Sequence, residues 1–330
     1  MLRILAVLAL TAFGSALAAG GAQAEDNVTV ATGWLPQADF GGFFQAQQDG
    51  IYKKHGLNVT INANATQMST IQLLAAGAAD FVRLPSSSVA LNMVKQDLPY
   101  VVIAAFYQKD PQVIMTHEEM GYKDLSELKG KPIMIAQEAR TNFWKFLQVK
   151  YGFTADQVRP YSFSGAPFLA DPKAIQQGYL TNDVLRMKER GYKVKYFLLA
   201  DYGYSGYATL IATSKKMVQE HPDVVQRFIN ASIEGWYAYL YGDRTAVNAM
   251  IAAKNPNFPV AHSEGAVAVI KEDKLIEGGD AQTLGIGAMT DARWKNVFDM
   301  YAEAGVYPKD MDYRAAYTTQ FVDKGYGLRK

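Results

Sequence analysis

The sequence contains no cysteine in 330 residues. This absence excludes disulfide bridges, catalysis by a thiolate, metal sites built on cysteine and a lipid anchor on an N-terminal cysteine. Histidine is also scarce. The four histidines lie far apart, and none belongs to an H-x-x-x-H motif. We therefore expect neither a metal site nor a cofactor.

An excess of charge of one sign is missing as well. The chain has 33 Lys and Arg residues against 32 Asp and Glu residues, and the loss of Arg3 with the leader described below would make the mature chain neutral. Such a balance gives no indication of a nucleic-acid partner or a membrane-surface partner. About 300 residues suffice for a large core, which we expect to be divided between two domains.

Long apolar runs are confined to the N-terminus. A short basic start at residues 1–3 is followed by an apolar run over 4–19 and by Ala-Gln-Ala at 22–24. This is the pattern of a secretory signal peptide, and it predicts cleavage after Ala24. The run is short and contains Gly, Ser and Thr, which disfavours a membrane anchor, and no later stretch approaches the ~20 apolar residues of a spanning helix. We expect an exported, soluble protein.

The rest of the chain alternates between strand and helix patterns, which predicts two successive α/β series. The predicted strands are 28–32, 57–61, 79–82 and 100–105 in the first series and 132–136, 158–161, 178–180 and 194–198 in the second. Connecting helices are predicted after an N-cap at Thr66 and over 170–175, among others. A strand at 209–213 is followed by predicted helices over 222–239, 245–253, 262–276 and 291–304. The sequence thus indicates an α/β protein with a helical C-terminal region.

The two series predict two lobes. We expect residues 25–115 with 208–330 to form the first lobe and residues 116–207 the second, so that the chain crosses near Met115 and again near Tyr207. Two crossings form a hinge, and a hinge between lobes encloses a central cleft. In open α/β sheets, ligands bind beyond the carboxyl ends of the strands, against the N-termini of helices.

The segment GWLPQADFGGFF follows the first predicted strand. Its aromatic residues stand among glycines and a proline, which are typical of a loop rather than a core segment. We expect the rings of Trp34 and Phe40 to stack on a flat ligand, and Gln37 and Asp39 to hydrogen-bond to its nitrogen atoms. Two alternatives stay open: Asp39 caps the following helix, and Phe44 belongs to the core.

Other candidates lie at later strand ends and helix starts. Arg83 is a cation at the end of an apolar strand, and we expect it to bind a ligand carboxylate or to pair with a nearby acid. Free backbone N–H groups at helix starts favour an anion or a carbonyl oxygen. A second loop rich in aromatic residues and glycine, YGYSGY, mirrors the first. The further candidates in these places are Gln67, Ser86, Tyr107, Arg140, Thr141 and Tyr204.

Several segments together resemble a known family. In order along the chain these are PQADFGGFFQAQQDGIYKKHGLNVTI, LLAAGAADFV, FYQKDPQVIM, DLSELKGKPIMI, FLADPKAIQQGYLTND and GIGAMTDARWK. They resemble segments of the ABC-transporter periplasmic substrate-binding proteins of the nitrate/sulfonate/taurine and thiamine-precursor group, and the thiamine-pyrimidine-synthase-like branch is the closer match. The resemblance covers nearly the whole mature chain. It implies a two-lobed type II periplasmic binding protein with a central cleft.

The resemblance also implies partners and further contacts. Members of this group capture a small molecule in the periplasm and deliver it to an ABC permease with a cytoplasmic ATPase, a task for which we expect a monomer. The second-lobe contacts of the family fall on Gln177, Tyr179 and Asp183 of this chain. Asp183 departs from the family pattern, because many relatives have a glutamate there.

The balance of aromatic and cationic candidates indicates the ligand class. Aromatic loops outweigh the candidate cations at the predicted strand ends, which favours a heteroaromatic ligand such as a thiamine-precursor pyrimidine. A sulfonate, taurine or nitrate is the alternative. An enzyme on the same fold is disfavoured, because the pyrimidine synthase that the chain resembles uses cysteine and histidine residues with bound pyridoxal phosphate and iron, and this chain has no cysteine. A sensor module that presents its ligand to a membrane receptor is a further interpretation.

Overall fold

The computed structural model describes residues 25–64, 69–326 and 328. The predicted signal peptide and the candidate Gln67 lie outside these ranges. Within them, ten strands form two five-stranded sheets. The strands are β1 Asp26–Ala31, β2 Leu57–Asn62, β3 Phe81–Ser86, β4 Tyr100–Tyr107, β5 Gln112–His117, β6 Ile133–Ile135, β7 Val158–Pro160, β8 Ile175–Tyr179, β9 Val194–Leu198 and β10 Ala208–Ser214.

Thirteen α-helices connect and cover the strands in the described part of the chain. They are α1 Gly41–Gln48, α2 Ile51–Lys54, α3 Thr70–Ala75, α4 Ser87–Lys95, α5 Phe143–Tyr151, α6 Ala166–Ala170, α7 Leu185–Glu189, α8 Lys215–Glu220, α9 Pro222–Tyr241, α10 Thr245–Lys254, α11 Val260–Glu272, α12 Ala281–Leu284 and α13 Asp291–Glu303. Shorter turns include the 3-10 turns Ala38–Phe40 and Glu138–Thr141 and the π turn Leu180–Val184. Among these helices none has the length and apolar character needed to cross a membrane.

The first sheet has the strand order β2-β1-β3-β10-β4. Strand β1 runs parallel to β2 and β3, whereas β10 lies antiparallel between β3 and β4. All eight residues of β4 are buried, in keeping with its continuous apolar sequence YVVIAAFY. Strand β10 follows the whole second sheet along the chain, so the first sheet is built from two separate stretches of the sequence.

The second sheet has the order β7-β6-β8-β5-β9, and β5 is antiparallel to both of its neighbours. Strand β5 was missed in the sequence because its run QVIMTH shows no clear alternation and follows a proline. Since β5 begins at Gln112, the chain passes between the sheets over residues 108–111. This passage lies ahead of the predicted crossing near Met115, which is inside β5. The return passage runs over residues 203–207.

Helix α1 packs against the long helix α9 at very short range. A Cβ atom on Gly42 would lie 2.3 Å from the ring of Trp236, and one on Gly235 would lie 2.3 Å from the carbonyl oxygen of Gly42. Phe43 and Phe44 are buried beside this contact, so the core alternative for Phe44 is confirmed. Gly41 and Gly42 therefore serve a close helix approach that a side chain would block.

Two predicted helices begin elsewhere than expected. Helix α3 has Ser69 rather than Thr66 as its N-cap: the Ser69 hydroxyl accepts the backbone N–H of Gln72, and the Gln72 side chain accepts the backbone N–H of Ser69. The helix predicted over 170–175 lies earlier, as α6. Pro167 stands in the first turn of α6, where the missing N–H of proline costs nothing.

The C-terminal region is helical, as predicted, and it contacts both lobes. Helix α9 packs on the first sheet through Phe228, whose ring stacks on that of Phe81 at 4.1 Å. Helix α11 reaches the helix that follows β8, where His262 Nδ1 lies 2.7 Å from a carboxylate oxygen of Glu189. The C-terminal helices therefore pack on the first sheet and on helix α7 of the second lobe.

Candidate functional site

Strand ends from both sheets meet in one space. Asp39, in the turn after β1, accepts a hydrogen bond of 2.7 Å from the hydroxyl of Thr181, which follows β8. Ser86, the last residue of β3, accepts a hydrogen bond of 3.1 Å from Nδ2 of Asn142, which follows β6. Each bond joins an element of the first sheet to one of the second. The carboxyl ends of these strands thus line the cleft between the sheets, which is where α/β proteins bind ligands.

Asp39 is the most connected acid of this cleft. Its side chain is buried and also accepts hydrogen bonds from the Tyr107 hydroxyl at 3.3 Å and from Gln37 Nε2 at 3.0 Å. Burial raises the pKa of Asp39, and the Thr181 hydroxyl and the charge of Arg83 oppose that shift. The N-cap of α1 is Phe40, and the side-chain hydrogen bonds of Asp39 go to Gln37, Tyr107 and Thr181, so the capping alternative is wrong.

Arg83 and Phe40 form one unit beside Asp39. The guanidinium carbon of Arg83 lies 4.7 Å above the centre of the Phe40 ring, and Nη1 donates to the Thr32 carbonyl at 3.2 Å. Phe40 is 1% exposed, so the ring that we expected to stack on a ligand instead carries the guanidinium. Arg83 Nε is buried and has no hydrogen-bond partner in the described ranges, which leaves a donor for a ligand. Burial lowers the pKa of Arg83, whereas Asp39 opposes that shift.

A second buried acid, Asp110, lies in the passage between the sheets and was missed in the sequence. It is 1% exposed, and it accepts the backbone N–H of Gln112 at 3.0 Å. Burial raises the pKa of Asp110 to about 7, despite this hydrogen bond and the charge of Arg83. Burial, together with the charge of Asp110, also raises the pKa of the Tyr179 phenol. The sequence feature that could have indicated Asp110 is its position directly before a proline, where the chain crosses between the sheets.

Asn142 connects the sheets through a network of hydroxyl groups. Its Oδ1 atom accepts hydrogen bonds from the hydroxyls of Tyr204 at 2.5 Å and Tyr301 at 3.0 Å, while its Nδ2 atom donates to Ser86. Tyr204 is 2% exposed, so this candidate serves the network rather than presenting an open ring. The network ties α13, the return passage and the start of α5 to the end of β3.

The candidates Arg140 and Thr141 precede Asn142 in the turn Glu138–Thr141. Thr141 is exposed and donates to the Glu138 carbonyl at 3.2 Å, within its own turn. Arg140 is half-buried, and its Nε finds no hydrogen-bond partner in the part of the chain that the structure describes. Asn142 makes the contact with Ser86 across the cleft instead. The turn Glu138–Thr141 orients the three successive side chains differently, and only that of Asn142 bonds to the first sheet.

The residues implied by the family resemblance lie together around the end of β8. Gln177 Oε1 accepts the backbone N–H of Ala136 at 2.7 Å and so fixes the end of β6. Asp183 accepts the backbone N–H of Tyr179 at 2.8 Å, and a Cβ atom on Gly178 would lie 3.1 Å from the Asp183 Cβ. Burial raises the pKa of Asp183. Gln177 and Asp183 thus shape the strand end that places Tyr179 in the cleft.

Trp34 lies at the edge of the cleft. Its side chain is 46% exposed, and its ring centre is 6.3 Å from that of Phe163, which belongs to the loop after β7 in the second sheet. Trp34 is therefore a loop residue, as the sequence indicated. Phe163 was not among the predicted site residues, because its loop contains only two aromatic residues, Tyr161 and Phe163.

Arg293 of α13 binds both passages between the sheets. Its Nε donates to the Ser205 carbonyl at 2.7 Å, Nη1 donates to Gln108 Oε1 at 3.2 Å, and Nη2 donates to the Gln108 carbonyl. The guanidinium also lies 4.1 Å above the Tyr207 ring and 3.6 Å from an Asp280 oxygen. The segment GIGAMTDARWK thus contacts both passages between the sheets through Arg293.

The cleft combines hydrogen-bond acceptors with a partly free cation and aromatic rings. Asp39 and Asp110 are the buried acceptors, Arg83 the cation, and Trp34 the exposed ring. Within the ranges given above, no three His, Asp or Glu side chains gather where they could hold a metal ion. The arrangement is suited to holding an organic molecule that carries both donors and a flat face.

Comparison with known proteins gives related sequences. A family model described as NMT1/THI5 like matches residues 37–245. The riboflavin-binding protein RibY of Chloroflexus aurantiacus is 23% identical, over 90% of this chain and 86% of its own length. The formylaminopyrimidine-binding protein of Halalkalibacterium halodurans is 24% identical, over 72% of this chain and 74% of its own length.

Solved structures share the fold. The periplasmic aliphatic sulphonate-binding protein SsuA of Escherichia coli matches with a TM-score of 0.65 and 12% identity, over 88% of this chain and 91% of that one. The desulfurization enzyme DszB matches with a TM-score of 0.61 and 12% identity, over 90% and 97%. The predicted two-lobed periplasmic binding protein fold is confirmed, and it is a fold that both binding proteins and an enzyme use. Since the matched residues 37–245 make up more than half of the chain, the protein belongs to the NMT1/THI5-like family.

Proposed function

We propose that this protein is the substrate-binding component of an ABC importer and captures a small heteroaromatic molecule between its two lobes. One observation carries the proposal: polar side chains at strand ends of both sheets bond to each other around one cleft, as in the bond between Thr181 and Asp39. A ligand bound there contacts both sheets, so its binding favours the closed arrangement. Closure on the ligand is the change that a permease can recognise.

The charges of the cleft favour a ligand that donates hydrogen bonds. Asp39 and Asp110 both act on Arg83, so two buried acids stand against one guanidinium. An ionised carboxylate repels a sulfonate or nitrate by about 4 kcal/mol at 4 Å and an effective dielectric constant of 20, and Asp110 adds this repulsion once the pH exceeds its pKa of about 7. Ring amines and ring N–H groups match carboxylate acceptors, and the free Arg83 Nε matches a ring nitrogen or carbonyl. A sulfonate, taurine or nitrate ligand is therefore less well supported.

The two curated relatives agree with this ligand class. One is named for riboflavin and the other for formylaminopyrimidine, and both compounds are nitrogen heteroaromatics. At 23% and 24% identity we take from them the ring chemistry and not either compound. A thiamine-precursor pyrimidine remains our first candidate ligand.

The proposal includes the setting in which the protein works. We infer export to the periplasm with cleavage after Ala24, a monomeric receptor, and delivery to a permease with a cytoplasmic ATPase. The lobes would divide at the passages over 108–111 and 203–207, which Arg293 holds together. A sensor role would use the same cleft and differ only in the membrane partner.

A ligand panel measured by thermal shift tests the proposal. We expect formylaminopyrimidine or a related aminopyrimidine to stabilise the protein, by ~2.7 kcal/mol at a concentration 100-fold above Kd. Riboflavin, an alkanesulfonate, taurine and nitrate serve as comparison compounds at equal concentration, and calorimetry then gives Kd for each compound that shifts the melting temperature. Stabilisation by the anions alone would contradict the heteroaromatic proposal.

We also propose that the protein binds its ligand without converting it. Because the same fold carries a desulfurization enzyme, this part of the proposal needs its own test. The bound compound is recovered after prolonged incubation and analysed by mass spectrometry, and we expect it unchanged. A product that accumulates in proportion to protein and time would show that the protein is an enzyme.

A further inference from the structure

Phe163 combines two features that the fold itself does not need. Its backbone has φ +59°, in the left-handed region that glycine and asparagine adopt most easily. Its side chain is 60% exposed. Asn or Gly at this position would relieve the backbone and remove an apolar ring from water. A residue that is unfavourable on both counts points to a role in binding.

The neighbours of Phe163 place it at the mouth of the cleft. Its ring centre lies 5.3 Å from that of Tyr161 in its own loop and 6.3 Å from that of Trp34 on the first sheet's side. The loop follows β7, and Trp34 follows β1, so the two rings approach each other from opposite sheets. Contact between two exposed aromatic residues across a cleft is a feature that ligand binding can use.

Trp34 is held in a fixed position while its ring stays exposed. The Thr32 hydroxyl donates to the Trp34 carbonyl at 3.0 Å. Gly33 has φ +71°, and a Cβ atom there would lie 2.5 Å from the Thr70 side chain, so the chain can pass only as glycine. The backbone is therefore preorganised, so a ligand that binds the exposed ring has little further conformational entropy to remove.

We propose that Trp34 and Phe163 are the two walls of a clamp that holds a flat ring of the ligand at the cleft mouth. The inference rests on the proposed function, since it requires a ligand with a ring. The two planes are now inclined at 50° with centres 6.3 Å apart. Two parallel walls around one ring must stand about 7–8 Å apart, because carbon atoms in contact are about 3.5–4.0 Å apart. A small separation of the lobes and a turn of Phe163 supply that spacing.

The substitution Phe163→Asn separates binding from folding. Asparagine tolerates positive φ, so the unliganded variant should melt at or above the temperature of the wild type, whereas its Kd for formylaminopyrimidine should rise about tenfold or more. Phe163→Tyr keeps the ring and should retain affinity within about threefold. Tyr192→Asn is the matched control, because Tyr192 is 42% exposed and precedes β9 at the end remote from the cleft. It should leave Kd unchanged.

Tryptophan fluorescence gives a second readout that does not depend on affinity. Of the four tryptophans, Trp34 is exposed, whereas Trp144, Trp236 and Trp294 are at most 2% exposed. Iodide should therefore quench Trp34 selectively, and saturating formylaminopyrimidine should remove that quenching in the wild type. In Phe163→Asn, protection at saturation should be incomplete, because one wall of the clamp is missing.

The outcomes distinguish this inference from the proposed function. If no heteroaromatic compound of the panel binds the wild type, both are overturned. If formylaminopyrimidine or riboflavin binds the wild type and Phe163→Asn equally well, the clamp is overturned while the proposed function stands. A marked fall in the melting temperature of the unliganded variant would make Phe163 a structural residue and would also overturn the clamp.

Discussion

At the scale of single residues, the cleft contains acids whose ionised form is disfavoured by burial. Burial raises the pKa of Asp39, Asp110 and Asp183, and each carboxyl is held in place by hydrogen bonds. A carboxyl with a raised pKa destabilises the folded state once it is ionised, because the unfolded chain ionises it more easily. Ionisation of Asp110 therefore costs stability as the pH rises through 7.

The substitution Asp110→Asn tests this relation through pH. The folded pKa of Asp110 is about 7 against a usual value of 3.8, so its contribution to stability is fully present below pH 4 and is lost as pH rises through 7. The variant does not lose this stability. Its free energy of unfolding should therefore exceed that of the wild type by near zero at pH 4 and by about 1–4 kcal/mol at pH 8. Urea unfolding at several pH values measures it.

A surface aspartate provides the comparison for Asp110. Asp310 is exposed, so Asp310→Asn should shift the unfolding free energy by a similar small amount at every pH. If the difference between Asp110→Asn and the wild type were as flat with pH as that of the control, the burial of Asp110 would not have the effect described here.

At the scale of elements, the fold depends on the approach of α1 to α9. Gly42 and Gly235 allow the helix backbones to touch, and the rings of Phe43 and Trp236 fill the space around them at 5.9 Å. Helix α1 begins at Gly41, two residues after Asp39. The position of the main cleft acid is thus set by a packing contact that lies outside the cleft.

The substitution Gly235→Ala should loosen this contact. Its Cβ atom would lie 2.3 Å from the Gly42 carbonyl oxygen and 2.6 Å from the Ala46 Cβ, so the helices must move apart. We expect a loss of about 1–3 kcal/mol in the free energy of unfolding, measured by urea titration, and weaker ligand binding. Gly265→Ala in α11 meets only the flexible Leu185 and Glu189 side chains and gains helix propensity, so it should be close to neutral. Equal effects of the two substitutions would contradict the close approach.

At the scale of the whole molecule, the two sheets are linked by bonds across the cleft, and Arg293 bonds to both passages between them. The cleft bonds join Asp39 to Thr181 and Ser86 to Asn142. Arg293 bonds to both passages, so it sets the spacing of the two chain segments about which the lobes would turn. The two sheets are therefore bonded to each other across the cleft and also at the passages that Arg293 contacts.

The substitution Arg293→Gln should release the hinge. It removes charge-assisted bonds to Gln108 and Ser205, and we expect the unliganded variant to open more often. Small-angle scattering should then give a larger radius of gyration than for the wild type, and Kd for formylaminopyrimidine should rise by about tenfold, because closure must be driven by the ligand.

Arg314→Gln is the control for the hinge, since Arg314 is exposed and bonds to Asp291 at the start of the same helix. It should change neither the radius of gyration nor Kd. An Arg293→Gln variant with the dimensions and affinity of the wild type would show that this cation does not hold the lobes closed.

The sequence by itself determined the class of the fold and the region of the site. Propensity and periodicity depend on residues that are close along the chain. They were enough to predict the alternation of strands and helices, the helical C-terminal region and the position of Trp34 in a loop. The same signals failed for β5, because a central strand without clear alternation is recognisable only from its two partners.

Only the tertiary structure decided which side chains share the cleft. In the structure the guanidinium of Arg83 lies over the Phe40 ring, and Asn142, rather than Arg140 or Thr141, bonds to the first sheet. Asp110 is buried between the sheets and Phe163 lies beside Trp34, although the sequence predicted neither residue. Each of these outcomes depends on elements that are far apart along the chain and meet through packing. Burial, hydrogen-bond partners and pKa shifts are properties of that meeting, so no local pattern of residues contains them.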